Sequence, residues 1–270
     1  MAESLSINGT NLLTVMHSIQ EIVGLVGAAP VRGDDPELPL GGAVEGAAWD
    51  GPRDITVRGL LYGNNGAVLV PADARARYLD RERALTALVR NSNRVSTLTR
   101  VIPRPGDGDL TTEARARYRS GLDAIAQAAF HAGRVAFTLR TLDAYWHATS
   151  DTTLATMTTA GLGGGSYTPT IAGDVETRRI TITVGGTITG YTRLTNNTTG
   201  HWIEVHAVAA AATVVDVEAM TATRSGVSVA GSVTHNPAFD EWMALAPGVN
   251  SLSVTGGGDT VVLAYRGAYA

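Results

Sequence analysis

The six histidines have the widest chemical range of any side chains here, since a neutral imidazole binds metals and a titrating one moves protons near neutral pH. They stand at His17, His131, His147, His201, His206 and His235. Only His201 and His206 are close together. At a spacing of five along a strand they point to opposite faces, so they cannot share a metal without a bulge. No zinc site is expected. The chain has no cysteine, which excludes a disulfide framework, thiolate catalysis and cysteine-ligated zinc or iron–sulfur centres.

The nucleophile and acid–base candidates are equally isolated. Ser166 follows glycines but lies in no Gly-x-Ser-x-Gly elbow, and nothing marks a partner base. Asp240 and Glu241 suggest the carboxylate pair of a glycoside hydrolase, yet adjacent residues on a strand diverge, so a solvated loop is expected. The tract Gly161-Leu162-Gly163-Gly164-Gly165 lacks the third glycine of a dinucleotide fingerprint and the Lys-Ser/Thr pair of a phosphate loop, and reads as a linker. Arg32-Gly33-Asp34 spells an adhesion tripeptide, but Gly-Asp is ordinary turn chemistry. Catalytic, cofactor-binding and metal residues are therefore expected to be none, and the chain is not expected to be an enzyme.

Two surface constellations remain. Trp202, Glu204 and His206 share one strand face, and an aromatic ring beside polar groups is how a sugar-stacking site begins; a tryptophan packed under a loop is the plainer alternative. Arg75, Arg77, Arg81, Arg83, Arg90 and Arg94 are interleaved with Asp73, Asp80 and Glu82. This reads as a solvated helix face with ion pairs in preference to a contact with nucleic acid or a neighbouring subunit.

The elements that position these residues follow from composition and period. A chain of 270 residues with 44% apolar and 17% charged side chains is globular and long enough for one large or two ordinary domains. Every one of the 21 basic residues is arginine, and the net charge of −4 argues against a protein whose main task is gripping phosphates. No Lys or Arg precedes Arg32, so a secretory leader is not expected and synthesis in a cytoplasm is. The longest small-apolar run, Ala207–Val215, is far short of the roughly 20 residues that span a bilayer.

From Ile7 to Val70 short apolar pieces, Ile22–Val26 among them, alternate with turn clusters at Arg32–Pro36, Gly41-Gly42, Asp50–Pro52 and Gly63–Gly66. Ile55, Val57 and Gly59 alternate with Asp54, Thr56 and Arg58 as in a half-buried strand. Asp73 is expected to cap a helix running to about Val89, its stripe formed by Ala74, Tyr78, Leu85 and Leu88, widened by Leu79 and Val89, with Asn91–Asn93 stopping it. Strand text follows at Thr97–Ile102, with more weakly predicted strand over Ala114–Arg119. Ala124–Ala132 is ambiguous, and Val135–Leu139 runs into Asp143-Ala144-Tyr145-Trp146. The first domain is expected over residues 1–148 and a second over 149–270, with 149–166 linker-like.

In the second part Ile180–Val184, Ile203–Ala207, Val215–Ala219 and Val227–Val229 alternate with period two, spaced as in a β-sandwich. Pro247-Gly248 fits the centre of a type II turn, and Leu252, Val254, Val261, Leu263 and Tyr265 are expected to complete the inner face. The stretch Pro237–Tyr269 reads as closing strands built for packing and contact.

The segment Trp242–Leu252, with its Leu245-Ala246-Pro247-Gly248-Val249-Asn250 turn, and the strand Val261–Tyr269 with Tyr265-Arg266 resemble the distal tail proteins of long-tailed, siphovirus-type bacteriophages. Asp174–Val205, with paired strands across Asn196-Asn197, is similar to the preceding part of that domain; Leu25–Gly63 and Asp143–Trp146 match more loosely. An aspartate-proline pair expected at the exit is absent.

The resemblance implies a mainly β protein: a β-rich belt domain with one amphipathic helix, followed by a galectin-like or carbohydrate-module-like sandwich. It also implies a structural virion protein whose copies close a six-membered ring at the tail tip, assembled in the host cytoplasm. That ring would join the tail tube to the hub and fibre proteins, and viral DNA would cross its lumen without specific binding. No cofactor and no membrane insertion are implied. The alternative is a carbohydrate-binding module or lectin-like adhesin that recognises host-surface glycan through Trp202 or loop aromatics.

Overall fold

The computed structural model describes residues 4–25, 29–32, 48–63, 71–90, 95–104, 106, 108–122, 125–127, 132–154, 156–158, 165–208, 211–257 and 260–270. The architecture is mainly β, and the chain divides into two compact units, residues 1–146 with Ala270 and residues 147–269. Gly33-Asp34, Gly41-Gly42, Asn64–Gly66, Asn91–Asn93, Arg94, His131 and Gly161–Gly164 lie outside the described residues.

In the first unit the order is Ser4–Ile7 (β1), Thr10–Asn11 (β2), Leu12–Val15 (α1), Ser18–Val23 (β3), Ala29–Arg32 (β4), Ala48–Gly51 (β5), Asp54–Tyr62 (β6), Pro71–Arg90 (α2), Ser96–Ile102 (β7), Leu110–Gly121 (β8), Ile125–Gln127 (β9) and Ala132–Thr141 (β10). An antiparallel sheet runs β2, β1, β7, β8, β10, β6, β3, with β9 on β10, while β4 and β5 form a separate two-stranded arm. Period two sorts the faces. Ile55, Val57 and Leu61 of β6, Val135, Phe137 and Leu139 of β10, and Leu98, Leu5 and Ile7 are buried, each worth about 1.5–3 kcal/mol over exposure. Ala114 and Ala116 are buried between exposed Arg115 and Arg117, so the ambiguous small/basic alternation is strand.

Helix α2 buries Ala74, Tyr78, Leu85 and Val89, a stripe at helical spacing. It approaches the end of β6 closely, and a Cβ on Gly63 would sit 1.8 Å from the Ala74 carbonyl oxygen, so only glycine fits there. Arg81 Nη1 donates to the Tyr62 carbonyl at 2.6 Å. The helix starts at Pro71, where a fixed φ and a missing N–H suit the first turn. Asp73 is therefore inside that turn and is not its cap. Leu79 stays 38% exposed, outside the buried stripe.

Where β3 ends, the Leu25 carbonyl accepts hydrogen bonds from Arg53 Nη1 (3.3 Å), Arg100 Nη1 (3.1 Å) and Trp146 Nε1 (3.0 Å), all three side chains buried. The residues before Trp146 are bent and do not continue the strand, because Asp143 turns back to accept from the Arg115 backbone and guanidinium (Nη2–Oδ1 2.6 Å).

Trp146–Ala148 (β11) straddles the division, and the second unit contains Thr152–Thr153 (β12), Met157–Thr158 (β13), Gly165–Tyr167 (β14), Thr170–Ile171 (β15), Ile180–Gly185 (β16), Ile188–Asn196 (β17), Trp202–Val208 (β18), Thr213–Asp216 (β19), Thr221–Arg224 (β20), Val227–Ser228 (β21), Val233–His235 (β22), Gly248–Val249 (β23), Leu252–Gly256 (β24), Thr260–Tyr265 (β25) and Ala268–Tyr269 (β26). One sheet runs β12, β25, β16, β19, β20, β21, with β13 on β25; the other runs β14, β24, β17, β18, β22. Ile182, Val184, Val215, Val261 and Leu263 of the first and Leu194, Ile203, Val205, Leu252 and Val254 of the second make one apolar core, closed by Met243 and Leu245. This is sandwich packing.

Two strand predictions are corrected. The strand through Val215 stops at Asp216, whose carboxylate accepts from the Ala219 backbone N–H at 3.0 Å and draws residues 217–220 into a turn. Val227 sits on a two-residue edge strand and is 66% exposed, so it packs no inner face.

Candidate functional site

The outer face of the second sheet carries the only strand constellation that the sequence singled out. A one-residue register shift between Ile188 and Tyr191 sets Tyr191 opposite His206, Arg193 opposite Glu204 and Thr195 opposite Trp202. The neighbouring strands extend one row, Thr255 beside Arg193 and Thr234 beside Glu204. Inward neighbours Leu194, Ile203 and Val205 are buried in the core, which fixes these side chains outward.

Glu204 is only 7% exposed although it lies on this outer face. Its Oε2 accepts from Arg193 Nε at 2.7 Å and lies 2.7 Å from Nη2 of the same guanidinium, and its Oε1 lies 3.2 Å from His206 Nε2. His206 Nε2 is also 3.1 Å from the Thr234 hydroxyl. A buried carboxylate is tolerable because the adjacent guanidinium hydrogen-bonds it and balances its charge. The same guanidinium lies over the Trp202 ring at 4.3 Å and faces Tyr191 at 5.8 Å, so it is flanked by two aromatic rings. Tyr191 remains 43% exposed. The set is charge-balanced and rigidly paired, with hydroxyls around its margin.

The remaining sequence candidates are apart. His201 is buried, stacked on Phe239 at 3.9 Å, with Nδ1 2.9 Å from the Thr199 hydroxyl, while His206 is half-exposed on the outer face. Glu241 pairs with Arg178 at 3.0 Å and Asp240 is exposed, so these two carboxylates do not converge. Ser166 is exposed on edge strand β14 opposite Ser253. Among the described residues no group of three or more His, Cys, Asp or Glu could hold a metal ion, and no helix is long and apolar enough to cross a membrane. Of the helix arginines, Arg83 lies 3.8 Å from Asp80 and both are well exposed, a solvated pair.

The sequence missed Tyr191 and Arg193. Both lie on β17, and the signal that would have found them is the pairing of β17 with β18 across the Asn196–Gly200 turn. The turn motif itself is structural: Asn250 Oδ1 accepts from Asn196 Nδ2 (2.9 Å) and the Ala246 N–H (3.1 Å), while its Nδ2 donates to the Ala246 (2.7 Å) and Gly248 (3.1 Å) carbonyls. Gly248 supplies the positive φ, +83°, that the turn needs.

No family model matches the chain, and no curated protein matches it. Among solved structures, the chain is similar over 98% of its length to 99% of the Dit (gp 19.1) protein of phage SPP1, described as a paradigm of the hub adsorption apparatus in phages infecting Gram-positive bacteria, with TM-score 0.65 and 17% identity. Chains of the phage p2 baseplate in its activated conformation, with strontium and with calcium, match over 98% of both partners at TM-score 0.48 and 6% identity, a distance at which the likeness carries no weight. The chain thus has the fold of a phage distal tail protein from end to end.

Proposed function

We propose that this chain is a structural protein of a phage virion, a distal tail protein whose copies close a six-membered ring at the tail tip. The observation that supports it is the correspondence with SPP1 Dit over both units in one chain, 98% of this protein against 99% of that one. A shared fold alone does not fix a role, since function lives in sites and surfaces. Here, however, the likeness runs over both units of the chain, and the Leu245–Asn250 turn, which resembles that of distal tail proteins, is held by the Asn250 side chain.

In this reading residues 1–148 form the belt that closes the ring and residues 149–270 the sandwich. The belt connects the tail tube to the hub and fibre proteins, and DNA crosses the lumen without specific binding. The protein is assembled in the host cytoplasm and has no turnover of its own. Head-to-tail contacts suit such a ring because they use two unlike patches and leave no free edge once closed. The sheet of the first unit ends in β3, an edge strand with Val23 50% exposed, which a neighbouring copy would cover.

Size-exclusion chromatography with light scattering, followed by negative-stain imaging, tests the assembly. A closed ring of six copies is expected; a strict monomer at every concentration would overturn the ring.

A further inference from the structure

We propose that the outer face of the second sheet, centred on Arg193 and Glu204, is a binding site for a neutral, hydroxyl-rich ligand, a pyranose unit of a host-surface glycan. This goes beyond the tail-tip role and does not depend on ring closure. The argument starts from Glu204. A carboxylate 7% exposed on the solvent side of a sheet is desolvated by its neighbours, and the guanidinium that satisfies it is thereby locked in one orientation. Locking removes the entropy cost that normally weakens a surface arginine as a ligand contact.

What the lock leaves over is recognition chemistry. Arg193 donates Nε to Glu204 and turns Nη2 toward the same oxygen, which leaves its Nη1 donors unspent. Among the described residues the hydroxyls of Tyr191, Thr195 and Thr255 make no hydrogen bond to protein, and all three stand on the same face beside Arg193. Tyr191, 43% exposed, offers an aromatic surface with a polar tip. A pyranose presents the complement: a C–H face that stacks on a ring and a rim of hydroxyls that both donate and accept.

Charge decides between ligand classes. Arg193 is neutralised by Glu204, so the face holds no surplus cation for a phosphate or sulfate group. Residues 147–270 carry nine acidic side chains against five arginines, which disfavours polyanions at long range. A neutral sugar meets neither obstacle.

The test uses the full-length protein with a panel of methyl glycosides and neutral oligosaccharides, binding read by saturation-transfer NMR and calorimetry. At least one neutral sugar is expected to bind with a dissociation constant near about 1 mM, rising about tenfold or more in Tyr191→Ala and in Glu204→Gln. Tyr191 is exposed, so its variant keeps the fold, and an unchanged unfolding temperature checks this. Arg193→Lys, which keeps the charge but loses the fork, is expected to weaken binding as well. No binding at millimolar sugar, or binding indifferent to all three substitutions, would overturn the proposal. So would a preference for sulfated or phosphorylated polymers that fades with added salt.

Discussion

At the scale of single residues the strongest structural commitment is made by Asn250. It is fully buried and completes four hydrogen bonds within the Leu245–Asn250 turn and to Asn196. Each buried partner left unsatisfied costs about 1–3 kcal/mol, so Asn250→Ala is expected to destabilise the sandwich by about 3 kcal/mol, seen as a lower urea midpoint at unchanged slope. A loss below about 1 kcal/mol would mean that Pro247-Gly248 holds the turn alone. Tyr78 makes the opposite case. Its hydroxyl is buried without a hydrogen-bond partner among the described residues, and burial, with the charge of Glu82 adding, raises its pKa above the ordinary 10.0. A raised folded-state value means that its contribution to stability is complete below the unfolded pKa and is lost as pH rises through the folded one. Tyr78→Phe should therefore leave stability at neutral pH within about 0.5 kcal/mol of the parent or raise it. Thermal melts at alkaline pH should fall less steeply for the variant; parallel curves would sink this account.

At the scale of elements, Arg117 of β8 and Arg140 of β10 stand directly opposite each other, both exposed and without an ion-pair partner among the described residues. Like charges in that position destabilise a sheet by a fraction of about 1 kcal/mol, so Arg140→Thr should raise the melting temperature of the unassembled chain. If the same face meets a neighbouring copy, that variant should also assemble less well; circular-dichroism melts read the first effect and light scattering the second. The elements themselves were largely legible. Ile55–Gly59, Val135–Leu139, Ile180–Val184, Leu252–Val254 and Val261–Tyr265 alternate because each is buried on one side only, and that constraint is written into every second residue. Ends were less legible, since Pro71 and the Asp216 carboxylate act through local geometry that periodicity does not carry. The face of β17 and β18 was half legible. Trp202, Glu204 and His206 follow from period two within one strand, whereas Tyr191 and Arg193 join them only through a register fixed by the Asn196–Gly200 turn and by the irregularity after Ile188.

At the scale of the whole molecule the charge balance bears on the conduit proposed above. Residues 1–146 carry sixteen acidic side chains and sixteen arginines, while residues 147–270 are acidic, and the chain as a whole is −4. Affinity for duplex DNA comes mainly from cations that displace condensed counterions, and it weakens with a steep power of salt concentration. Arg58, Arg115 and Arg119 are already paired with Glu21, Asp143 and Asp54, which leaves Arg117, Arg134 and Arg140 as the cations of the outer sheet face without a carboxylate among the described residues. Three contacts per chain can give a shallow attraction at low ionic strength and little at physiological strength, where even dedicated non-specific binders reach only about 10⁻⁴–10⁻⁶ M. In gel-shift titrations with duplex DNA the assembled protein is therefore expected to retain none at physiological salt. A weak retention at low salt should disappear when Arg117, Arg134 and Arg140 are replaced together by Thr. Tight retention that survives physiological salt would contradict passage through a lumen lined by this protein, because a wall that holds DNA at micromolar affinity or better would slow the exit that a tail conduit must allow.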